Sequence, residues 1–253
     1  MIRIVTRGDD AGCAVSANKA IHDACVQGIL RNISLMANTP QIEDAARRLA
    51  GLKDVCFGMH ISLTAEWKNP RFYPVLPKVQ VSSLTLDDGS FPQTSQKLND
   101  LKPRPEEADR EVRAQLRRLR DLGFDVRYMD EHMAIGWISG FTEVFQQIAR
   151  EEKLIFRPKV DRLPDDGGKV QDHDYASRLI ARLRLAGPGT YLQVGHPTYN
   201  DAEMAEVVMD AGDQSVRGVV ARDRDGQRLQ FMREDVLALF RERDIRPIHY
   251  SDI

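Results

Sequence analysis

Ile2-Arg3-Ile4-Val5-Thr6-Arg7-Gly8-Asp9-Asp10-Ala11-Gly12 opens the chain as an apolar, β-branched segment that ends in two adjacent carboxylates flanked by glycines. Neighbouring residues of a strand point to opposite faces. Past a strand end, however, a glycine-rich turn can aim both side chains into one cavity. Carboxylates this close repel unless a cation or a shared proton holds them, which marks one as a candidate metal ligand. An isolated Asp-Asp is more often a solvated turn that caps a helix. The decision rests on what the other strands carry at their ends.

Outward from that stretch, strand and helix patterns alternate to the end of the sequence. A helix is expected over 17–27, with Ser16 as its cap and Gly28 as its stop, then a strand over 29–36 and a helix over 42–50. A third strand, 55–63, carries His60 near its C-terminal end. The 64–105 segment breaks the rhythm with repeated prolines and with Trp67, Phe72, Tyr73 and Phe91. An irregular insertion of this length reads as an ordered loop over a substrate site, with Trp67 and Phe72 able to stack on it. Helices over 106–122, 141–153, 175–185 and 233–243 follow. Strands are expected over 126–129, 155–156, 190–194 and 246–250, with 163–173 as a loop.

The 253 residues form one α/β unit on this reading, and a single irregular (β/α) barrel of the TIM type suits the length. A hydrophobic content of 42% can build a full core, and a net charge of -2 gives no basic field for nucleic acid or an anionic membrane. No apolar run approaches a membrane span, and the opening strand is too short for a signal peptide. Cys13, Cys25 and Cys56 have neither disulfide nor zinc-knuckle spacing, so a reducing cytoplasm is the expected setting. Cys13 reads as a small packed residue before a reactive thiol.

Four strand ends therefore carry residues suited to chemistry: Asp9 and Asp10, His60, Asp130 and His132, and His196. A lone histidine at a strand end is usually structural. Four such ends together are harder to ascribe to chance, because α/β folds build their sites at the C-terminal ends of parallel strands. Two imidazoles and a carboxylate make a facial set for zinc or another divalent ion and leave room for water and substrate. A hydrolase also needs a base and an acid, which a second carboxylate and a further histidine would supply. Arg157, before Pro158 at a strand exit, suits either substrate orientation or a structural ion pair. His22 reads as surface and His249 as packed. His173, in an Asp-flanked loop, is a less favoured candidate for the site.

The chain resembles the YdjC-like carbohydrate deacetylases, the chitooligosaccharide/hopanoid-associated deacetylase group. Gly8-Asp9-Asp10-Ala11-Gly12 is similar to their opening turn, and residues 28–38 to the segment that follows it. Gly58-Met59-His60-Ile61-Ser62-Leu63-Thr64, Asp130-Glu131-His132, Gly195-His196-Pro197-Thr198-Tyr199 and Ile248-His249-Tyr250-Ser251-Asp252 follow in the family's order. The likeness implies an irregular barrel and metal-dependent removal of an acetyl group from an N-acetylated sugar. It further implies that Asp10, His60 and His132 bind one divalent ion, zinc or magnesium, with Asp9 as general base and His196 assisting the departing amine. Trp67, Asp130 and Arg157 are expected at the substrate. Ala11 replaces the usual phenylalanine, and Ala134 stands where many relatives have a second histidine. The expected partner is a small-molecule or oligosaccharide substrate, with a homodimer allowed. Hydrolysis of another bond, such as a phosphoester, and non-catalytic sugar binding are the competing readings.

Overall fold

In the computed structural model, which describes residues 1–209 and 213–253, the opening stretch is one long strand, β1 (Ile2–Ala11), that runs through both aspartates. It leads to α1 (Val15–Gln27), β2 (Asn32–Leu35), α2 (Ile42–Leu49) and β3 (Cys56–Ile61). After the insertion, which contains α3 (Ser95–Asp100), come α4 (Pro105–Asp121), β4 (Val126–Glu131), α5 (Phe141–Glu152) and β5 (Ile155–Phe156). The chain continues through β6 (Asp161–Arg162), α6 (Tyr175–Leu185), β7 (Gly189–Gly195), α7 (Ala202–Ala205), α8 (Val219–Met232), α9 (Glu234–Glu242) and β8 (Ile245–Ile248).

The pairings between these strands are parallel, and the order is β5-β4-β3-β2-β1-β7-β6 with β8 set against β1. β1 is long enough for three neighbours. β7 pairs along Ile2 to Gly8 on one edge, while β8 takes Ile2 to Val5 and β2 takes Arg7 onward on the other. Asn32 stitches the junction of β2 and β8. Its amide donates to the carbonyls of Thr6 and Ile248, and its side-chain oxygen accepts the Tyr250 N–H.

Val5, Cys56, Tyr128, Ile248 and Tyr250, with Ile155 and Leu192 against them, form an apolar cluster separate from the main core. Apart from Tyr250, which follows β8, those residues come from strands across the sheet, so the sheet curls around them as the interior of an irregular α/β barrel. Among the described residues no pairing joins β5 to β6, so a seam remains there. The main core lies between the outer face of the sheet and the helices. α4 shows how the helices are written: Pro105 starts it, Glu106 and Glu107 occupy its first turn, and Ala108, Val112, Leu116 and Leu119 make its buried stripe.

α1 ends at Gln27 with Gly28 as its cap, as expected, and Gly28 also permits a close approach, since a Cβ there would stand 2.2 Å from the Phe231 carbonyl oxygen. Ser16 does not cap α1; Glu203 accepts the Val15 and Ser16 N–H groups instead, and the Ser16 hydroxyl donates to the Tyr199 carbonyl. α3, β6, α7 and α8 had no expected counterpart.

The insertion is ordered and belongs to the core. Trp67, Phe72, Val81, Leu84, Phe91 and Leu98 are buried in it. Glu111 of α4 accepts the Val75 and Leu76 N–H groups, and Glu107 accepts the N–H and hydroxyl of Ser83. Among the described residues no helix is long and apolar enough to cross a membrane.

Candidate active site

The two aspartates converge on His60 by a different route from the expected turn. The pairing of β1 with β2 shifts register between Gly8 and Ala11, and Asp10 lies in the left-handed region at φ 63°. Such a kink is uncommon for a residue with a side chain and re-aims it within the strand. Asp10 then meets His60 from β3 and His132, which follows β4. Oδ1 of Asp10 is 3.5 Å from Nε2 of His60 and 3.3 Å from Nδ1 of His132, and the two nitrogens are 3.3 Å apart.

Among the described residues, buried Asp10 Oδ1 takes part in no hydrogen bond, so it faces the two imidazoles with a lone pair to spare. Donors held at ~2.0–2.1 Å around a tetrahedral ion lie ~3.3–3.4 Å from one another, which is the spacing of this triangle. The residues therefore fit a divalent ion. Asp9, His60 and Asp130 form a second close set. A cation already serves that set, because the Arg7 guanidinium spans Asp9 and Asp130.

Each candidate ligand is held from behind. Asp130 Oδ1 is 2.5 Å from His60 Nδ1, and its other oxygen accepts from the Ser34 hydroxyl and forms an ion pair with Arg7. Glu66, from the start of the insertion, is 2.8 Å from His132 Nε2. Arg224 of α8 donates to Asp10 Oδ2 at 2.5 Å. Carboxylates behind metal-binding histidines fix ring orientation and raise ligand basicity. Arg7 grips Asp9 with two hydrogen bonds of 2.6 and 2.8 Å and donates also to the Tyr250 hydroxyl. The sequence reading had picked out neither the two arginines nor Glu66.

Four carboxylates (Asp9, Asp10, Glu66 and Asp130) thus surround two guanidiniums, a deficit of two positive charges. Burial opposes a charge on His60, but Asp130, Asp9 and the hydrogen bonds its ring donates to carboxylates outweigh it and push its pKa up to about 10. Burial is likewise overcome at His132 by Glu66 and Asp10, to about 9. Asp10 resists the pull of burial toward protonation because Arg224, His132 and His196 hold it well below the usual carboxylate range. Cys13 is buried and sits beside this negative charge, and both push its thiol up, so it reads as packing.

His196, beyond β7, is held by Gln227 of α8, whose Oε1 is 2.9 Å from both its Nδ1 and its backbone N. Three expectations about substrate contacts meet different geometry. Trp67 is fully buried, with its ring 5.6 Å from Phe72 and 5.6 Å from the Arg224 guanidinium, so it offers no open face to a sugar. Asp130 is spent on His60, Ser34 and Arg7. Arg157 pairs with Glu131, whose other oxygen accepts the Gly136 N–H, and it lies over Phe156. The ion-pair reading fits Arg157. His173 connects to His196 only through Asp223 and Gln227.

A parallel α/β barrel whose C-terminal mouth gathers an Asp-His-His donor set, each donor backed by a charged partner, defines the class. The chain belongs to the YdjC-like protein family, which its residues 3–245 match. It is 29% identical to a carbohydrate deacetylase of Geobacillus stearothermophilus, over 79% of this chain and 81% of that one. A second carbohydrate deacetylase, from Thermoanaerobacter pseudethanolicus, is 25% identical over 93% of this chain and 96% of its own length. The fold matches a crystal structure from Enterococcus faecalis V583, provisionally named a cellobiose-phosphate cleavage protein. Its TM-score is 0.78 at 18% identity, with 99% of this chain and 98% of that one covered.

Proposed function

We propose that the protein is a metal-dependent hydrolase that removes an acetyl group from an N-acetylated sugar or oligosaccharide. The observation that carries this reading is the buried Asp10–His60–His132 triangle with a separately held carboxylate, Asp9, beside it and His196 nearby. The names of the curated relatives point the same way. A divalent ion bound by the triangle would supply Lewis acidity toward the amide oxygen and toward water. The triangle's spacing favours zinc over magnesium, whose octahedral donors would sit ~3.0 Å apart.

The chain's own groups divide the remaining work. Asp9, fixed by the two Arg7 hydrogen bonds, accepts a proton from the attacking water. As the C–N bond breaks, its electron pair goes to nitrogen and His196 delivers a proton there. Acetate and a free amine leave. Asp130 and Glu66 hold the two imidazoles in register, a positioning role that replaces the substrate contact expected of Asp130. The phosphoester reading finds less support, since both arginines of the site are engaged by carboxylates. Non-catalytic sugar binding would need neither Asp9 nor His196.

Acetate release from N-acetylglucosamine and its β-linked oligomers, paired with elemental analysis, tests this. Asp10→Asn should lose the metal, because an amide is a poorer ligand than a carboxylate. Asp9→Asn and His196→Ala should keep it and lose on the order of 10²–10⁴-fold in kcat. Metal lost from Asp9→Asn and kept by Asp10→Asn would reverse the two roles, and full activity in both would end the proposal.

A further inference from the structure

We propose that Gln227 and Asp223 are positioning residues that lock His196 in the Nδ1–H tautomer, making Nε2 the one ring atom that exchanges the catalytic proton. This rests on the reading of His196 as the proton donor to the departing amine.

The argument begins at Asp223 and runs inward. Its Oδ1 accepts from the Tyr175 hydroxyl at 2.6 Å and lies 3.2 Å from His173 Nδ1, while its Oδ2 is 2.7 Å from Gln227 Nε2. An ionised carboxylate only accepts hydrogen bonds, so the group that Gln227 turns toward it must be the NH2. The amide oxygen is thereby forced to the other side. There it meets two nitrogens of His196, the backbone N–H and Nδ1, each at 2.9 Å. An amide oxygen only accepts, so Nδ1 must carry hydrogen. Among the described residues no hydrogen bond engages Nε2. The ring also stands near enough to Asp10 for its charge to bear on that carboxylate.

One helix face makes this possible. Residues 223 and 227 are one turn apart on α8, so their side chains stack along the helix. Residue 224 between them is the arginine that grips Asp10. A single element therefore sets both a candidate ligand and the proton donor. The outer end of the network is docked closely as well. Gly226 faces the His173 backbone, and a Cβ there would lie 2.1 Å from the His173 carbonyl oxygen. Asp172 and His173 both adopt left-handed backbone, at φ 46° and 60°. Two consecutive residues in that region persist only where the surroundings hold them, and here α8 does so. Burial and the neighbouring Asp223 carboxylate raise the Tyr175 phenol, which keeps its O–H as a donor.

In the reaction the proton passes from Nε2 to the amine nitrogen as the C–N electron pair arrives there, while the Nδ1 proton stays on Gln227. The ring regains its proton at the same atom before the next turnover. With the tautomer unlocked, part of the protein would present Nε2 in a form bonded to hydrogen yet uncharged, a poor donor. Metal binding and ground-state sugar binding would not change.

Asp223→Asn is the informative variant. Its amide can donate to Gln227 Oε1, which lets Gln227 turn over and face Nδ1 with its NH2. In the zinc-loaded full chain, with N,N′-diacetylchitobiose as probe, kcat should fall about 10–100-fold with KM and zinc content unchanged, the scale of other orienting partners. Adding Gln227→Glu should restore the rate, because a carboxylate at position 227 accepts from the new amide at position 223, from Nδ1 and from the backbone at once. Gln227→Met should lose rate as Asp223→Asn does, without rescue. ¹⁵N-histidine spectra, with His196→Ala to identify the signals, should show hydrogen on Nδ1 in the neutral ring of the unmodified chain and a mixture in Asp223→Asn. Hydrogen mainly on Nε2 in the unmodified chain overturns the proposal. So does an Asp223→Asn enzyme, zinc-loaded and folded, that keeps kcat within about twofold. If no acetate is released by the unmodified chain while the spectra behave as stated, the deacetylase reading fails and the tautomer assignment stands.

Discussion

Loading the metal-stripped protein with zinc should expel two protons at neutral pH. The four carboxylates of the site outnumber its two guanidiniums by two, and the pKa values of His60 and His132 rise to about 10 and about 9 in consequence. Both rings are therefore charged at pH 7 when nothing else balances the carboxylates, and a ligating imidazole must be neutral. Each ion should then displace about two protons, and apparent affinity should rise about 100-fold per pH unit between pH 6.5 and 8. The slope should fall to about tenfold between the two pKa values and vanish above them. Stability follows the matching sign. Groups whose pKa is raised by folding stabilise the metal-free fold fully below the unfolded value of ~6.5, and that contribution is lost as pH rises through 9 to 10. The metal-loaded protein should not share this alkaline loss. Calorimetric zinc titration in buffers of different ionisation enthalpy reads the proton count directly. Fewer than about one proton released per ion at pH 7, or an affinity flat across that range, would refute the charge-deficit reasoning.

The other consequences separate packing from positioning. Trp67→Ala should destabilise the protein by about 3–5 kcal/mol, lowering Tm by on the order of 10 °C, because it empties a fully buried site. Trp67→Phe should cost far less, since it keeps most of the ring volume and removes a buried indole N–H that has no partner among the described residues; thermal melts decide between them. Glu66→Gln and Asp130→Asn should each weaken zinc binding about 10–100-fold in competition with a chelator while leaving the fold intact.

The contrast between Trp67 and Glu66 shows what the sequence could reveal. Both lie in the insertion, which composition marks as unusual without saying which side chain goes where. The aromatic residue invites a substrate role, yet an indole carries enough apolar surface to be drawn into the core, and it was. Its acidic neighbour looks like any solvated glutamate and instead sits behind His132. The candidate ligands were legible because each lies at or just past the C-terminal end of an apolar strand, a local pattern. Their partners arrive from distant segments, and that pairing leaves no local trace.

α8 carries this point furthest. Periodicity identifies a helix by its apolar stripe, but the inward face of α8 holds Arg224, Gly226 and Gln230 as well as Val220, Ala221 and Phe231. Arg224 is inside because Asp10 needs a buried cation, and Gly226 because the His173 backbone lies against it. Gln227, half-buried beside them, faces His196. The stripe is broken by the very residues that pair with the candidate site, so the helix that supplies Asp10 and His196 with partners is the one that hydrophobic patterning is least able to find. The same reasoning gives the gap a use. In a barrel whose strand ends already show ligands, a charged stretch of helical length with no clean stripe, such as 219–232, is where their missing counter-charges should be sought. Arg224 meets that description, and the carboxylate it neutralises is the one at the bulge where the chain's first strand turns inward.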